Sequence, residues 1–336
     1  MVANVSPLRT PSHTAHTSRI TNGIAHHERH HALRITHHTK AITVTKTLDL
    51  DHYLTPFALR RLVEQALDED LGQGDITSDL LVPAELQAVA VFRTRSAGVV
   101  AGLPVAALAF TLVDPALRFT AHVADGASVE PGQDLATVAG SARSLLRAER
   151  VALNFAQRLS GIASLTACYV AAVHSTRARI VDTRKTTPGL RALEKYAVRA
   201  GGGRNHRRNL GDAVMVKDNH LVAIAARGMS LAAALAEARE HLPHTIKIEV
   251  EVDRIDQIPA VLEAGADIIL LDNMGPEQLR EAVRLIGGRA TTEASGGVNL
   301  QTVSAIAAAG VDLISVGALT HSAPALDIGL DMDLRA

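Results

Sequence analysis

Between Ala178 and Gly317 six short apolar runs follow one another: ARIVDT, DAVMVK, IKIEVEV, DIILLD, ATTEAS and DLISVG. Ala- and Leu-rich stretches with helical spacing, such as SLAAALAEAREHL, EQLREAVRLI and LQTVSAIAAAG, lie between them. Strands alternating with helices predict a parallel sheet, and six such units in series predict a barrel or something close to it. The polar residues fall where the runs stop. IVD leads into Thr183, Arg184 and Lys185, and VMV into Lys217. IEVEV contains Glu249 and Glu251, IILL ends at Asp272, TTEA at Ser295-Gly296-Gly297, and ISV at Gly317. One such end is explained by a helix cap or a surface charge. Six in succession point to an active site, because catalytic groups of these barrels collect at the C-terminal mouth.

The chain ahead of this region is organised differently. FALRRLVEQALDED predicts an amphipathic helix, followed by the turn-rich LGQGDITSDLL. AVAVFRTR, GVVAG and RFTAHV then read as short strands of a small α+β domain, and a helical region runs from about Ser144 to His174. Aromatic residues make up only 2% and Trp is absent, so Ala, Val, Leu and Ile must fill the core. The single cysteine, Cys168, excludes an internal disulfide and a multi-cysteine zinc site. Its setting, LTACYVAAV, predicts a buried and inert thiol. No apolar run reaches the roughly eighteen residues that a membrane span requires, so no membrane association is expected.

Charge is unevenly spread. Residues 1–48 carry six basic side chains against one acid, Glu28, and eight of the sixteen histidines. Without a sustained period, this segment reads as a disordered extension with no role in the chemistry. A metal-binding His tract and an organelle transit peptide are the alternatives. The remaining body holds 28 basic and 34 acidic residues, which argues against a nucleic-acid binder.

Three groups of residues carry chemistry. Between Arg184 and Lys217 stand nine basic residues opposed only by Glu194 and Asp212, a local excess that suits a pocket for small anions. Arg191, Arg199 and Arg208 read as a solvated helix face, whereas Arg184, Lys185 and Lys217 follow strands. The loops Ser295-Gly296-Gly297 and Val316-Gly317-Ala318 each follow a strand and precede a helix, an arrangement whose backbone N–H groups cradle phosphate. Gly201-Gly202-Gly203, ahead of Asn205-His206-Arg207, reads as a flexible turn. Glu251 and Asp272 end adjacent strands and suit a Mg²⁺ carried by a phosphorylated substrate. Glu249 shares the face of Glu251 and is equally well explained as a structural ion pair. On these grounds phosphoribosyl transfer, a Schiff-base aldol reaction and sugar-phosphate isomerisation all remain open.

Longer motifs narrow the choice. EDLGQGDITSDL, RAERVALNFAQRLSGIASLT, DTRKTTPGLRALEKYAVRAGGGRNHRRNLGDAVMVKDNH, DIILLDNM, EASGGVNL and VGALTHSAPALDIGLDM together resemble quinolinate phosphoribosyltransferase, from about Leu54 to Met332. Asn209, where that family often has glycine, is a minor departure. The resemblance implies an α/β protein with an N-terminal α+β sandwich followed by an incomplete α/β (TIM-like) barrel. The expected division is a His-rich extension at 1–48, the sandwich at 49–145, the catalytic barrel at 146–320, and a C-terminal segment at 321–336 packing back on the sandwich. It implies a pentosyltransferase of NAD biosynthesis that converts quinolinate and phosphoribosyl pyrophosphate into nicotinate mononucleotide, pyrophosphate and CO₂. Arg150, Thr183, Arg184, His206, Arg207 and Lys217 are expected around quinolinate. Lys185, Ser295, Gly296, Gly297, Val316, Gly317 and Ala318 are expected on the phosphates, with Lys185, Glu251 and Asp272 catalytic. Glu251 and Asp272 would hold Mg²⁺, and no organic cofactor is expected. The implied assembly is a homodimer in which Arg150 reaches the neighbouring site, or a higher oligomer built from it, located in the cytoplasm.

Two rival activities make distinct demands. A nicotinate phosphoribosyltransferase would bind a monocarboxylate, whereas Arg207 and Lys217 beside Arg184 suit a dicarboxylate. An aldolase would need Lys185 or Lys217 in a desolvated setting, which the surrounding arginines oppose.

Overall fold

The structure, a computed structural model, describes residues 48–334, so the His-rich extension, apart from Leu48, lies outside the described residues. Thr47–Ala336 forms one compact unit with a continuous apolar core. Thr55 caps α1 (Pro56–Leu71), accepting from the Ala58 N–H at 3.3 Å, with Pro56 in the first turn. Asp75 caps a second helix, α2 (Ile76–Leu81), so the stretch read as turn contains a helix of six residues. A local cap outweighed the turn-forming composition.

The first sheet follows. It draws on β1 (Gln87–Thr94), β3 (Arg118–Ala121) and β5 (Asp134–Ser141), while β2 (Gly98–Val99) and β4 (Ser128–Val129), on either side of α3 (Leu103–Val113) in the chain, form a separate two-stranded sheet. Ala88, Ala90, Phe92 and Thr94 of β1 are buried on one face, the alternation expected of a half-buried strand. With so few aromatics, Phe92, Phe110 and Phe119 are gathered into one cluster at centroid separations of 5.7–6.0 Å.

Ser141 then caps α4 (Ala142–Val173), a continuous helix of 32 residues that spans the boundary expected at 145/146. Its inward stripe includes Leu159, Ile162, Ala163, Thr166, Tyr169 and Val173. Cys168 lies off that stripe and is exposed, which corrects the buried thiol expected from its apolar neighbours. Apolar neighbours in sequence do not share a helix face.

All six apolar runs form strands: β6 (Arg179–Val181), β7 (Val214–Val216), β8 (Ile248–Val252), β9 (Ile268–Asp272), β10 (Thr291–Ser295) and β11 (Leu313–Ser315). The helices α5 (Arg191–Ala200), α6 (Asp218–Ala226), α7 (Leu231–His241), α8 (Ile258–Glu263), α9 (Pro276–Ile286), α10 (Val303–Ala308) and α11 (Ala318–His321) connect or follow them. The strands pair in parallel in the order β6-β11-β10-β9-β8-β7. Between the edge strands β6 and β7 the chain forms α5 and a loop, and among the described residues this stretch pairs with β6 as a single parallel bridge between Val181 and Arg204 and not as a strand. The barrel is therefore incomplete. The last strand, β12 (Ile328–Leu334), pairs antiparallel with β1 at the edge of the first sheet.

Candidate active site

Register places the acidic side chains. Met215 lies opposite Glu249, Glu251 opposite Leu270, Leu270 opposite Glu293, and Asp272 opposite Ser295. Because side chains alternate between faces, Glu249, Glu251, Asp272, Glu293 and Ser295 share the inner face of the barrel. Lys217, two residues after Met215, joins them and forms an ion pair with Glu251. Asp272 accepts from Asn273 Nδ2 at 2.7 Å. Two carboxylates on neighbouring strand ends, both reachable from the mouth, fit a Mg²⁺ that keeps most of its ligands from water and phosphate.

The β6 end carries the cations. Thr183 Oγ1 accepts from the Lys185 N–H at 3.0 Å, closing a tight turn in which Arg184 is half-buried and Lys185 exposed. Arg184 Nε is buried with no hydrogen-bond partner. Arg207 stands close enough that burial and the Arg184 charge hold its pKa below the ordinary value, with Glu249 and Asp212 opposing. Its Nη1 donates to the Ala213 carbonyl at 3.0 Å. Two adjacent guanidinium groups, one with an orphaned donor, form a site for an anion.

His206 sits beneath them. The Arg207 N–H points at His206 Nδ1 at 2.7 Å, and His206 Nε2 meets Glu249 Oε2 at 3.1 Å and Glu293 Oε1 at 3.6 Å. Burial disfavours the imidazolium, but the Glu249 hydrogen bond and the charges of Glu293 and Glu249 hold its pKa above the ordinary value. Burial and the Glu249 charge push Glu293 up to about 7. One oxygen on each glutamate is buried without a partner. The three side chains are spaced for a metal ion. Against this, a ring whose Nδ1 accepts a backbone hydrogen bond keeps its own hydrogen on Nε2, and a protonated nitrogen is no ligand.

The glycine loops come to the same mouth. Gly296 has φ +85° and a Cβ there would overlap Asn273 Oδ1, so glycine is required where the loops after β9 and β10 interlock. The Asn273 N–H donates to the Ser295 carbonyl at 2.9 Å. A Cβ on Gly317 would lie 3.1 Å from Lys185 Cδ and 3.2 Å from His321 Nε2. The N–H groups of Gly296, Gly297, Gly317 and Ala318 find no acceptor among the described residues. Val316, expected on the phosphates, is buried and its N–H donates to the Val181 carbonyl at 2.9 Å, so it offers the mouth neither a side chain nor a free donor. Arg150 stands apart, exposed on α4, and makes no hydrogen bond or ion pair among the described residues.

Sequence patterns missed several supports. Asp182 and Lys195 form a fully buried ion pair between β6 and α5. Asp182 also accepts from the His206 N–H at 2.8 Å and from Asn205 Nδ2 at 2.7 Å, fixing the loop that carries His206 and Arg207. Asp182 closes the apolar run IVD, the one visible signal. Gly201 is no flexible turn, since a Cβ there would overlap the Ala163 carbonyl of α4. Arg191, Arg199 and Arg208 are more than a solvated face. Arg191 donates to the Arg208 carbonyl at 3.1 Å, Arg199 to the Gly203 carbonyl at 2.7 Å, and Arg208 to the His52 carbonyl at 2.8 Å while stacking over Tyr53. A sequence shows charge but not which carbonyls the fold leaves exposed.

Comparison with known proteins adds identity to this geometry. Residues 162–331 match the family model described as quinolinate phosphoribosyl transferase, C-terminal domain, and residues 75–160 match its N-terminal domain. The chain is similar to a probable nicotinate-nucleotide pyrophosphorylase (carboxylating) of Bacillus subtilis, 42% identical over 276 residues, covering 82% of this chain and 94% of the relative. It is 46% identical over 281 residues to the nicotinate-nucleotide pyrophosphorylase (carboxylating) of Mycobacterium leprae, covering 82% and 97%. Among solved structures, NadC from Streptococcus pyogenes superposes with a TM-score of 0.80 at 43% identity, covering 84% of this chain and 99% of that one.

Proposed function

This chain belongs to the quinolinate phosphoribosyltransferase family, and from that membership we propose how its own residues divide the reaction. It is a pentosyltransferase of NAD biosynthesis, a nicotinate-nucleotide pyrophosphorylase (carboxylating) that joins the phosphoribosyl group to quinolinate with loss of pyrophosphate and CO₂.

The observation that carries the assignment of residues is the Arg184–Arg207 pair with its orphaned buried Nε. Quinolinate presents two adjacent carboxylates, and several fixed donors are needed to offset the desolvation of that dianion. Arg184, Arg207 and Lys217 supply them, with Thr183 and His206 fixing the loops from which they project. Lys185 and the free N–H groups of the 295–297 and 316–318 loops hold phosphate. Glu251 and Asp272 would hold Mg²⁺, which when bound neutralises charge gathering on the leaving pyrophosphate. The same carboxylates face the positive charge that develops at the ribose C1. Lys185 donates to the departing phosphate. Ribosylation makes the pyridine nitrogen cationic, so the electron pair left at C2 by CO₂ is stabilised within the substrate. Lys217 is held in an ion pair with Glu251 and Lys185 is exposed, neither being the desolvated setting of a Schiff-base lysine.

Assembly as a homodimer is supported by the outward face near Arg150. Ile76, Leu80 and Leu81 of α2 are 75–77% exposed, and α2 packs on α4, where Arg143 and Arg147 meet its Asp79 one turn of helix before Arg150. An exposed apolar patch with a cation at its edge suits a second copy whose mouth lacks one donor. Among the described residues no single helix is long and apolar enough to cross a membrane. The cytoplasm is the proposed compartment, consistent with a single exposed, unpaired thiol.

Purified protein incubated with quinolinate, phosphoribosyl pyrophosphate and Mg²⁺, alongside a tube with nicotinate, tests the function. Nicotinate mononucleotide and CO₂ from quinolinate alone is the expected result. Product from nicotinate alone would remove the dicarboxylate assignment of Arg184, Arg207 and Lys217.

A further inference from the structure

Two loops at the mouth are assigned to phosphate, one after β6 carrying Lys185 and one after β11 carrying Val316–Ala318. The helix behind the second has only four residues, so that turn does not owe its position to a long helix. What joins them is a buried polar network. Glu194, in the first turn of α5, is fully buried. Its Oε2 accepts from the Thr187 N–H at 3.0 Å, and its Oε1 from the Thr187 hydroxyl and from Arg158 Nη2, both at 2.7 Å. Arg158, on α4, donates onward to the carbonyls of Thr320 and, at 3.2 Å, Ala323. Thr320 is also fully buried, and its hydroxyl closes the circuit by donating to the Lys185 carbonyl at 2.7 Å.

We propose that Arg158, Glu194 and Thr320 are positioning residues that set the spacing between Lys185 and the 316–318 turn, and so govern binding of phosphoribosyl pyrophosphate and not of quinolinate. This rests on the functional assignment above. Arg158 has its charge matched by Glu194, so it supplies geometry and no free cation. Of the quinolinate cations, Arg207 stands on a different support, built on Asp182 and Lys195; Arg184 shares the loop of Lys185, but the network's hydrogen bonds go to Lys185 and Thr187 and none to Arg184. A guanidinium fork that serves two carbonyls and a carboxylate is a shape lysine does not reproduce.

The test compares wild type with Thr320→Val, Thr320→Ser and Arg158→Lys, measuring both KM values and the melting temperature. The Thr320 hydroxyl lies 2.7 Å from the Lys185 carbonyl and 3.2 Å from that of Gly317; removing it costs about one neutral hydrogen bond, so KM for phosphoribosyl pyrophosphate should rise roughly fivefold while that for quinolinate stays within about twofold. Thr320→Ser should restore the wild-type value. Arg158→Lys should raise the same KM by roughly tenfold or more. A merely structural role would lower the melting temperature and the active fraction while moving neither KM, or moving both alike. If Arg158→Lys does not fold, the Thr320 pair decides. Any pattern in folded Thr320→Val other than a selective rise for phosphoribosyl pyrophosphate overturns the proposal. Failure of the wild-type protein to turn over quinolinate would remove the functional assignment itself, and the proposal with it.

Discussion

Glu293→Gln should make this protein more stable at neutral pH, and by an amount that depends on pH. Glu293 is buried, faces the Glu249 carboxylate, and is raised from an ordinary 4.5 to about 7, with Asp182 adding to the rise and His206 and Ser315 opposing it. Between those values the folded chain holds a proton that the unfolded chain has released. A group raised in this way contributes stability that is fully present below pH ~4.5 and is lost as pH climbs through about 7. At ~1.4 kcal/mol per pH unit, the rise of about 2.5 units amounts to about 3 kcal/mol. Glutamine keeps the shape and presents a permanent N–H where the acid carries its proton, beside a glutamate oxygen otherwise unpartnered. Urea unfolding of wild type and variant at pH 5 and pH 8 measures the effect. The variant's stability relative to wild type should improve by most of that ~3 kcal/mol between the two pH values. A difference that is the same at both would refute the reading that the fold holds a proton on Glu293 up to about pH 7.

Other expectations follow from the same geometry. Arg150→Ala removes an exposed side chain, so the melting temperature should hold while turnover is abolished, and mixing with inactive Lys185→Ala should restore some activity as subunits exchange. No recovery after exchange would count against a site shared across a dimer. Gly296→Ala forces a side chain into φ +85° and against Asn273 Oδ1, at a cost of about 1–2 kcal/mol. It should weaken phosphoribosyl pyrophosphate binding in calorimetry more than quinolinate binding. Deleting residues 1–48 should leave kcat and both KM values unchanged, and a large loss of turnover would give the His-rich extension a part in the chemistry.

The six strands were legible because each apolar run is short, is closed by a polar residue or glycine, and alternates with a stretch of helical spacing. The mouth residues were legible for the same reason, being the closures themselves. Glu293 shares the parity of Ser295 within TTEAS, so its inward direction was available, but its partner Glu249 lies two strands away and emerges only from sheet order. Glu194 and Arg158 are separated by 36 residues, and Glu194 read merely as an acid opposing a basic cluster. Cys168 and the α2 helix were misjudged through local composition. In the first case the helix face decided exposure, and in the second the Asp75 cap did.

The division between paired and unpaired charge separates folding from binding in this barrel. Asp182–Lys195 is a buried ion pair, and Glu194–Arg158 joins a buried carboxylate to a partly exposed guanidinium, both with added hydrogen bonds, the condition under which burying charge is tolerated. They anchor the two loops on which the substrate cations stand. Arg184, by contrast, is buried at Nε without a partner, and Arg207 is set beside it although like charges repel. That repulsion persists because the loops are over-determined by their supports and because Glu249 lies below Arg207. Glu249 and Asp212 offset part of that charge for folding, and the unpartnered Arg184 Nε is left for a carboxylate of the dianion.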